Sequence, residues 1–172
     1  MIADVPALVQ ECAPFVDQGL MRAIIRAESS GYPWSLADAG EVGRPWSERR
    51  GQVRSIASAD REHAEAAATR LIRQGHIVAI GLAQVSSRNL ARFGLTPAQT
   101  FDPCTNVRTG ARILAEALTL APTIEGALSI YNTGNAVDGI ANGYVDRVMG
   151  RSVFHQEANG IDPYTAPLEA DQ

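Results

Sequence analysis

Residues 15–33 read FVDQGLMRAIIRAESSGYP, an apolar-patterned stretch that runs into a cluster of helix breakers. Phe15, Leu20, Ile24 and Ala27 fall on approximately one face at helical spacing, which predicts a buried helix from Phe15 to Glu28 with Pro14 tolerated in its first turn. Ser29, Ser30, Gly31, Tyr32 and Pro33 then end it. Glu28 is thereby set at a helix C-terminus, where the helix dipole disfavours a carboxylate and pushes it toward its protonated form. An acid so placed is poorly positioned for stability. A glutamate at a helix end is nonetheless most often a solvated surface residue, so position alone does not make Glu28 a catalyst.

Working outward, Val5 to Val9 is a short apolar segment, and Asp38 to Ser58, rich in Gly, Arg and Ser, reads as a long irregular loop. Asp60 to Gln74 is Ala-rich and closes on Gly75, the pattern of a helix with its C-terminal glycine. The β-branched run Ile77-Val78-Ala79-Ile80 predicts one short extended element. Ser86 to Phe93, stopped by Gly94, is a short helix. Pro103 to Leu120 is a longer one with Val107, Ala111, Leu114 and Leu118 on its apolar stripe. Thr123 to Tyr131 and Val137 to Met149 complete the helical set. The fold class is therefore mainly α, a single domain over residues 1–150, followed by a polar, loosely attached tail over 151–172.

The chain has 172 residues, 45% hydrophobic and 20% charged, the balance of a foldable globular protein. A net charge of -4 supplies no surplus of Lys and Arg to neutralise phosphates, which excludes nucleic-acid binding as a main function. No stretch approaches the roughly 18 apolar residues needed to span a bilayer, so stable membrane insertion is not expected. His63, His76 and His155 have no metal-ligand spacing with a nearby Cys or carboxylate, so neither a metal nor a cofactor is expected. Cys12 and Cys104 sit at element edges, outside any C-x-x-C pattern. They read as a structural bridge, against the alternative of two buried free thiols.

Three clusters combine a possible acid, polar orienting groups and glycines: Glu28-Ser29-Ser30-Gly31, Gly81-Leu82-Ala83-Gln84-Val85 and Tyr131-Asn132-Thr133-Gly134-Asn135. In this order they resemble the lysozyme-like lytic transglycosylases, whose signatures are Glu-Ser at a helix end, Gly-Leu-Met-Gln, and Ala-Tyr-Asn-x-Gly. The resemblance extends to the members that accompany type IV secretion systems, through Cys12-Ala13-Pro14, Ser87-Arg88-Asn89-Leu90, Phe101-Asp102-Pro103-Cys104 and Gly143-Tyr144-Val145. It covers roughly Cys12 to Val148. Ala83 stands where many relatives carry Met, and Ile130 where Ala is usual; both replacements are apolar.

The resemblance implies a lysozyme-like fold of the goose-type or soluble lytic transglycosylase catalytic domain, with Glu28 as general acid and base at the floor of a sugar-binding groove. Glu28 would protonate the glycosidic oxygen between N-acetylmuramic acid and N-acetylglucosamine, then take the proton of the muramyl C6 hydroxyl as that hydroxyl closes a 1,6-anhydro ring. The internal nucleophile explains why one carboxylic acid suffices where ordinary glycosidases keep two. Leu82, Ala83 and Ile130 are candidate apolar walls around it. Ser29 and Gln84 match positions that bind the N-acetyl group or hold the cleft loop, Tyr131 and Asn132 match residues that orient the acid and the saccharide, and Tyr144 matches a further aromatic hydroxyl. The plainer alternatives are a turn-capping Ser29, a surface Gln84, and core tyrosines with satisfied hydroxyls. Trp34 and Trp46 are either sugar-stacking residues or core anchors.

The implied partners are peptidoglycan glycan strands and components of a type IV secretion machine, and the implied location is the periplasm. Since the N-terminal residues have no secretory-signal pattern, a signal removed ahead of the chain is expected, the alternative being export by another route. The rival readings are a muramidase of the same fold and an inactive peptidoglycan-binding scaffold.

Overall fold

The computed structural model describes residues 3–49 and 52–151. The tail expected from 151 onward lies outside them except for Arg151, whose guanidinium donates to Glu125 Oε1 at 2.7 Å. The backbone gathers into two compact units, Met1–Ala111 and Arg112–Gln172.

The first unit opens with two helices rather than one. Helix α1 spans Val5–Cys12 and α2 spans Gln18–Ser29. Asp4 caps α1 through Ala7 N, and Asp17 Oδ1 accepts from Leu20 N at 2.7 Å. This corrects the expected helix from Phe15. The Asp17 carboxylate satisfies an otherwise orphaned N–H at the start of α2 and sets the helix boundary there, leaving Pro14 and Phe15 in the connection and Phe15 53% exposed. The buried face of α2 is Met21, Ile24 and Ile25.

A second correction concerns residues 38–58. They carry strand β1 over Leu36–Glu41, a short helix α3 over Trp46–Arg49 and strand β2 over Arg54–Ile56. With β3, His76–Ile80, and β4, Val85–Ser86, they form an antiparallel sheet in the order β2-β1-β3-β4. Leu36 lies opposite Ile56 on one side and Ile80 on the other, and Ile80 lies opposite Val85. Only β3 of these four strands was expected. In β1 the buried positions are Leu36, Asp38 and Gly40, so two of its three inward residues carry no hydrophobic signal and the period-2 alternation is invisible in composition.

Asp38 is 2% exposed and accepts from Gly40 N at 2.9 Å, while His76 Nδ1 lies 2.9 Å from the same oxygen and Arg54 Nη2 lies 3.4 Å from the other. Burial pushes its carboxyl up, but the Gly40 N–H, His76 and Arg54 together outweigh this and hold it below its ordinary value of 3.8. A depressed folded-state value means that ionised Asp38 stabilises the fold above the unfolded value, and that this contribution is lost as pH falls through the folded one. The melting temperature should therefore drop below pH 4, and Asp38→Asn should both lower it at neutral pH and flatten that acid limb. Parallel acid limbs in calorimetric scans of the two proteins would refute the assignment.

Helix α4, Arg61–Arg73, begins at the Asp60 cap and ends at Gly75, φ +82°, as its sequence predicts. It buries Ala64, Ala67, Ala68 and Leu71. After the 3-10 turn Ser87–Asn89 come α5, Leu90–Phe93, α6, Pro97–Thr100, and α7, Pro103–Leu120. On α7, Val107, Ala111 and Leu114 are fully buried, whereas Leu118, expected on the same stripe, is 37% exposed. A disulfide joins Cys12 at the end of α1 to Cys104 in the first turn of α7, Cα to Cα 5.4 Å.

Among the described residues the second unit contains the C-terminal part of α7 and three helices: α8, Ile124–Thr133, α9, Asp138–Ala141, and α10, Tyr144–Met149. The single helix expected from Val137 to Met149 is divided at Gly143, φ +76°. There the chain leaves helical geometry and Asn142 Oδ1 accepts from Tyr144 N to start α10.

Candidate active site

Glu28 occupies the penultimate position of α2, half-buried, and the helix closes at Ser30 in the left-handed conformation with φ +52°. Ser29 Oγ lies 3.1 Å from Ile25 O and 2.8 Å from Leu82 O, and accepts from Gly31 N at 3.3 Å. Its hydroxyl thus ties the end of the Glu28 helix to the backbone of the turn Gly81–Gln84, 53 residues away in sequence.

That turn is held tightly. Gly81 N donates to Ser35 O at 2.8 Å, and both Gln84 N and Gln84 Nε2 donate to Gly81 O, at 3.2 and 2.9 Å. The Gln84 side chain therefore folds back onto its own turn. Gln84 itself has φ +45°, a conformation that costs a non-glycine residue about 1–3 kcal/mol and that clusters at functional sites. Leu82 and Ala83 are fully buried beside it.

The residue that organises the turn is Asn106 on α7, 1% exposed, which the sequence reading passed over. Its Nδ2 donates to Ile80 O at 2.8 Å and Thr100 O at 2.9 Å, and its Oδ1 accepts from Ala83 N at 2.8 Å. Gly81 is required opposite it: a Cβ there would lie 2.4 Å from Asn106 Nδ2, and its φ of +75° favours glycine independently. Asn106 lies one position before Val107, off the stripe that periodicity marks on α7, so its spacing carries no signal of this role; as a buried amide it must find partners, and here it finds three.

In the second unit, Tyr131 and Asn132 lie in the last turns of α8, which stops at Gly134 with φ +86°. Buried Ser129 holds the following loop: its hydroxyl donates to Asn135 O at 2.7 Å and accepts from Gly139 N at 2.8 Å. Gly139 has no room for a side chain, because a Cβ would meet Ser129 Cα at 2.6 Å. Asn132 is exposed and its Oδ1 accepts from Asn142 Nδ2 at 3.0 Å. Tyr131 is half-buried. Tyr144 is 2% exposed and the Arg147 guanidinium stands 5.7 Å from its ring centroid. Asn142 thus orients Asn132 with one end of its amide and caps α10 with the other, a second polar residue with no advance signal.

The six expected site residues are therefore gathered as two groups: Glu28, Ser29 and Gln84 around the Ser29–Leu82 link, and Tyr131, Asn132 and Tyr144 around the α8–α10 loop. The α2 end thus combines a half-buried Glu28, a glutamine at positive φ and a turn pinned by Asn106.

All three clusters lie inside a match to the transglycosylase SLT domain family that runs over residues 7–151. The chain belongs to this family. It is 34% identical over 156 residues to the type IV secretion system protein virB1 of Brucella abortus biovar 1 (strain 9-941), covering 83% of this chain and 61% of that protein. It is 32% identical over 148 residues to the protein virB1 of Agrobacterium fabrum, covering 81% and 55%, and 30% identical over 159 residues to that of Rhizobium radiobacter, covering 85% and 59%. The chain spans about 60% of the length of the curated relatives it matches. No solved structure matches it.

The mainly helical architecture with a small sheet is that of the lysozyme-like SLT domain. Among the described residues no three His, Cys, Asp or Glu side chains converge to hold a metal ion, and no helix is long and apolar enough to cross a membrane. His63 pairs with Asp60 and His76 with Asp38, while His155 lies outside the described residues.

Proposed function

We propose that this SLT-family chain is a peptidoglycan lytic transglycosylase and that Glu28 is its catalytic acid. The observation that carries the reading is the family match across all three clusters, with Glu28 at a helix end tied by Ser29 to the Gly81–Gln84 turn. In the reaction, the protonated Glu28 carboxyl gives its proton to the oxygen bridging muramic acid C1 and the next sugar, and the C1–O bond breaks. The muramyl C6 oxygen bonds to C1 and its proton passes to the Glu28 carboxylate, regenerating the acid. No water is consumed and the product end is 1,6-anhydromuramic acid, so no second carboxylate is needed to activate a nucleophile. Leu82 and Ala83, buried in the turn that Ser29 joins to the Glu28 helix, supply apolar surroundings that favour a protonated carboxyl. Ser29 holds the loop rather than the sugar, Gln84 keeps the turn in shape, and Tyr131, Asn132 and Tyr144 orient the saccharide.

The virB1 names of its relatives extend the proposal: the enzyme opens the cell wall locally, in the periplasm, for a type IV secretion or conjugation apparatus. Purified chain incubated with isolated sacculi should release soluble muropeptides and clear turbidity. A protein that sediments with the sacculi but releases nothing would be a binding scaffold, and the proposal would fail.

A further inference from the structure

We propose that Asn106 is a positioning residue for the Glu28 reaction, an inference that rests on the function proposed above. Asn106 spends its amide on backbone: Ile80 O, Thr100 O and Ala83 N. It acts through the turn: its amide fixes the carbonyl of Ile80 on one side of Gly81 and the N–H of Ala83 on the other, and anchors both to Thr100 O. Between those two points lies Leu82, whose carbonyl accepts the Ser29 hydroxyl next to Glu28. The chain of contact is therefore Asn106, turn backbone, Leu82 O, Ser29 Oγ, helix end. Every hydrogen-bonding group in it is buried or half-buried.

The geometry is specific to an amide. Two carbonyls face the Nδ2 group and one N–H faces Oδ1, so a carboxylate of the same shape satisfies only the last. Gly81 supplies the complementary half, since the missing Cβ leaves the space that Asn106 Nδ2 occupies. Asn106 sits two residues beyond Cys104, whose bond to Cys12 pins the first turn of α7 covalently. The amide is therefore delivered to the turn from a fixed base. A catalytic group displaced by about 1 Å can lose on the order of 100-fold in rate, which is the scale at which such a support matters.

In Asn106→Asp the ionised carboxylate faces the Ile80 and Thr100 carbonyls and repels them. When protonated, it regains one donor. At neutral pH the maximal rate on solubilised glycan strands should fall ~10–100-fold in protein that remains folded by circular dichroism, with the half-saturating strand concentration little changed. The ratio of the variant's rate to the native rate should rise as pH falls. Leu71→Ala, a core truncation in α4, serves as a control destabilised without touching the turn, and its folded protein should keep the native maximal rate. A native rate in Asn106→Asp, or a loss that follows only the unfolded fraction, overturns the inference. If Asn106→Asp does not fold, Gly81→Ala perturbs the contact from the turn side and should give the same fall in maximal rate; a native rate there also overturns it. Glu28→Gln separates the two levels. An inactive Glu28→Gln beside a native-rate Asn106→Asp removes only the inference, whereas an active Glu28→Gln removes the reading on which it rests.

Discussion

Glu28→Gln should reduce release of muropeptides from sacculi by roughly 1,000-fold or more while leaving the melting temperature within a few degrees of native, because general acid and base work typically contributes 10²–10⁴-fold and here one group does both. Glutamine keeps the size and polarity of the side chain at the α2 end but can neither deliver the proton to the leaving oxygen nor take one from the C6 hydroxyl. Among the expected site residues there is no second carboxylate to substitute for it, so the loss should not be rescued by a change of pH. Glu28→Asp should retain more, about 1% of native rate, since the acid survives and only its reach is shortened. Turbidity clearance at the native rate in Glu28→Gln would remove Glu28 from the mechanism.

The largest stability effect is expected at the disulfide. Cys12 and Cys104 are 92 residues apart in sequence, so the bond closes a long loop in the unfolded chain. In the chain-entropy view that is worth about 4–5 kcal/mol, and removal of native bridges commonly costs about 2–5 kcal/mol. For a chain of this size each kcal/mol moves the melting temperature by about 2–4 °C. Reduction by a strong thiol, or Cys12→Ala with Cys104→Ala, should therefore lower it by roughly 5–20 °C. The bond holds the first turn of α7, where Asn106 begins its hydrogen bonds, so the variant should also lose catalytic rate before it unfolds. Unchanged melting after reduction, with free thiols confirmed by titration, would contradict this.

Periodicity and caps made the long helices legible. Asp60 and Gly75 bracket α4, and Pro103–Leu120 is one helix, as its apolar stripe predicts. Where periodicity failed, side-chain chemistry had taken over from it. Asp17 starts α2 three residues later than the pattern suggests, and Gly143 divides the last helical stretch. The sheet stayed hidden because β1 buries Asp38 and Gly40 beside Leu36, so the strand is stabilised by a charged hydrogen-bond cluster rather than by an apolar alternation.

At the candidate site, the residues that meet substrate in the proposed reaction were named from motifs, because the reaction dictates their type. The residues that hold them were not. Asn106 and Ser129 act through backbone carbonyls and N–H groups, and Asn142 through the Tyr144 N–H and the Asn132 amide, partners whose positions exist only once the chain has folded. Ser29 shows the limit most clearly: its type is compatible with sugar binding, yet its hydroxyl is committed to Leu82 O.

The identity of the attacking group is the central claim, and the mass of the new muramyl ends tests it most directly. Sacculi digested by the native chain in ¹⁸O-labelled water should yield muropeptides ending in 1,6-anhydromuramic acid, free of label. Reducing ends one water heavier, carrying ¹⁸O at C1, would show that water rather than the C6 hydroxyl attacks, and would contradict the account.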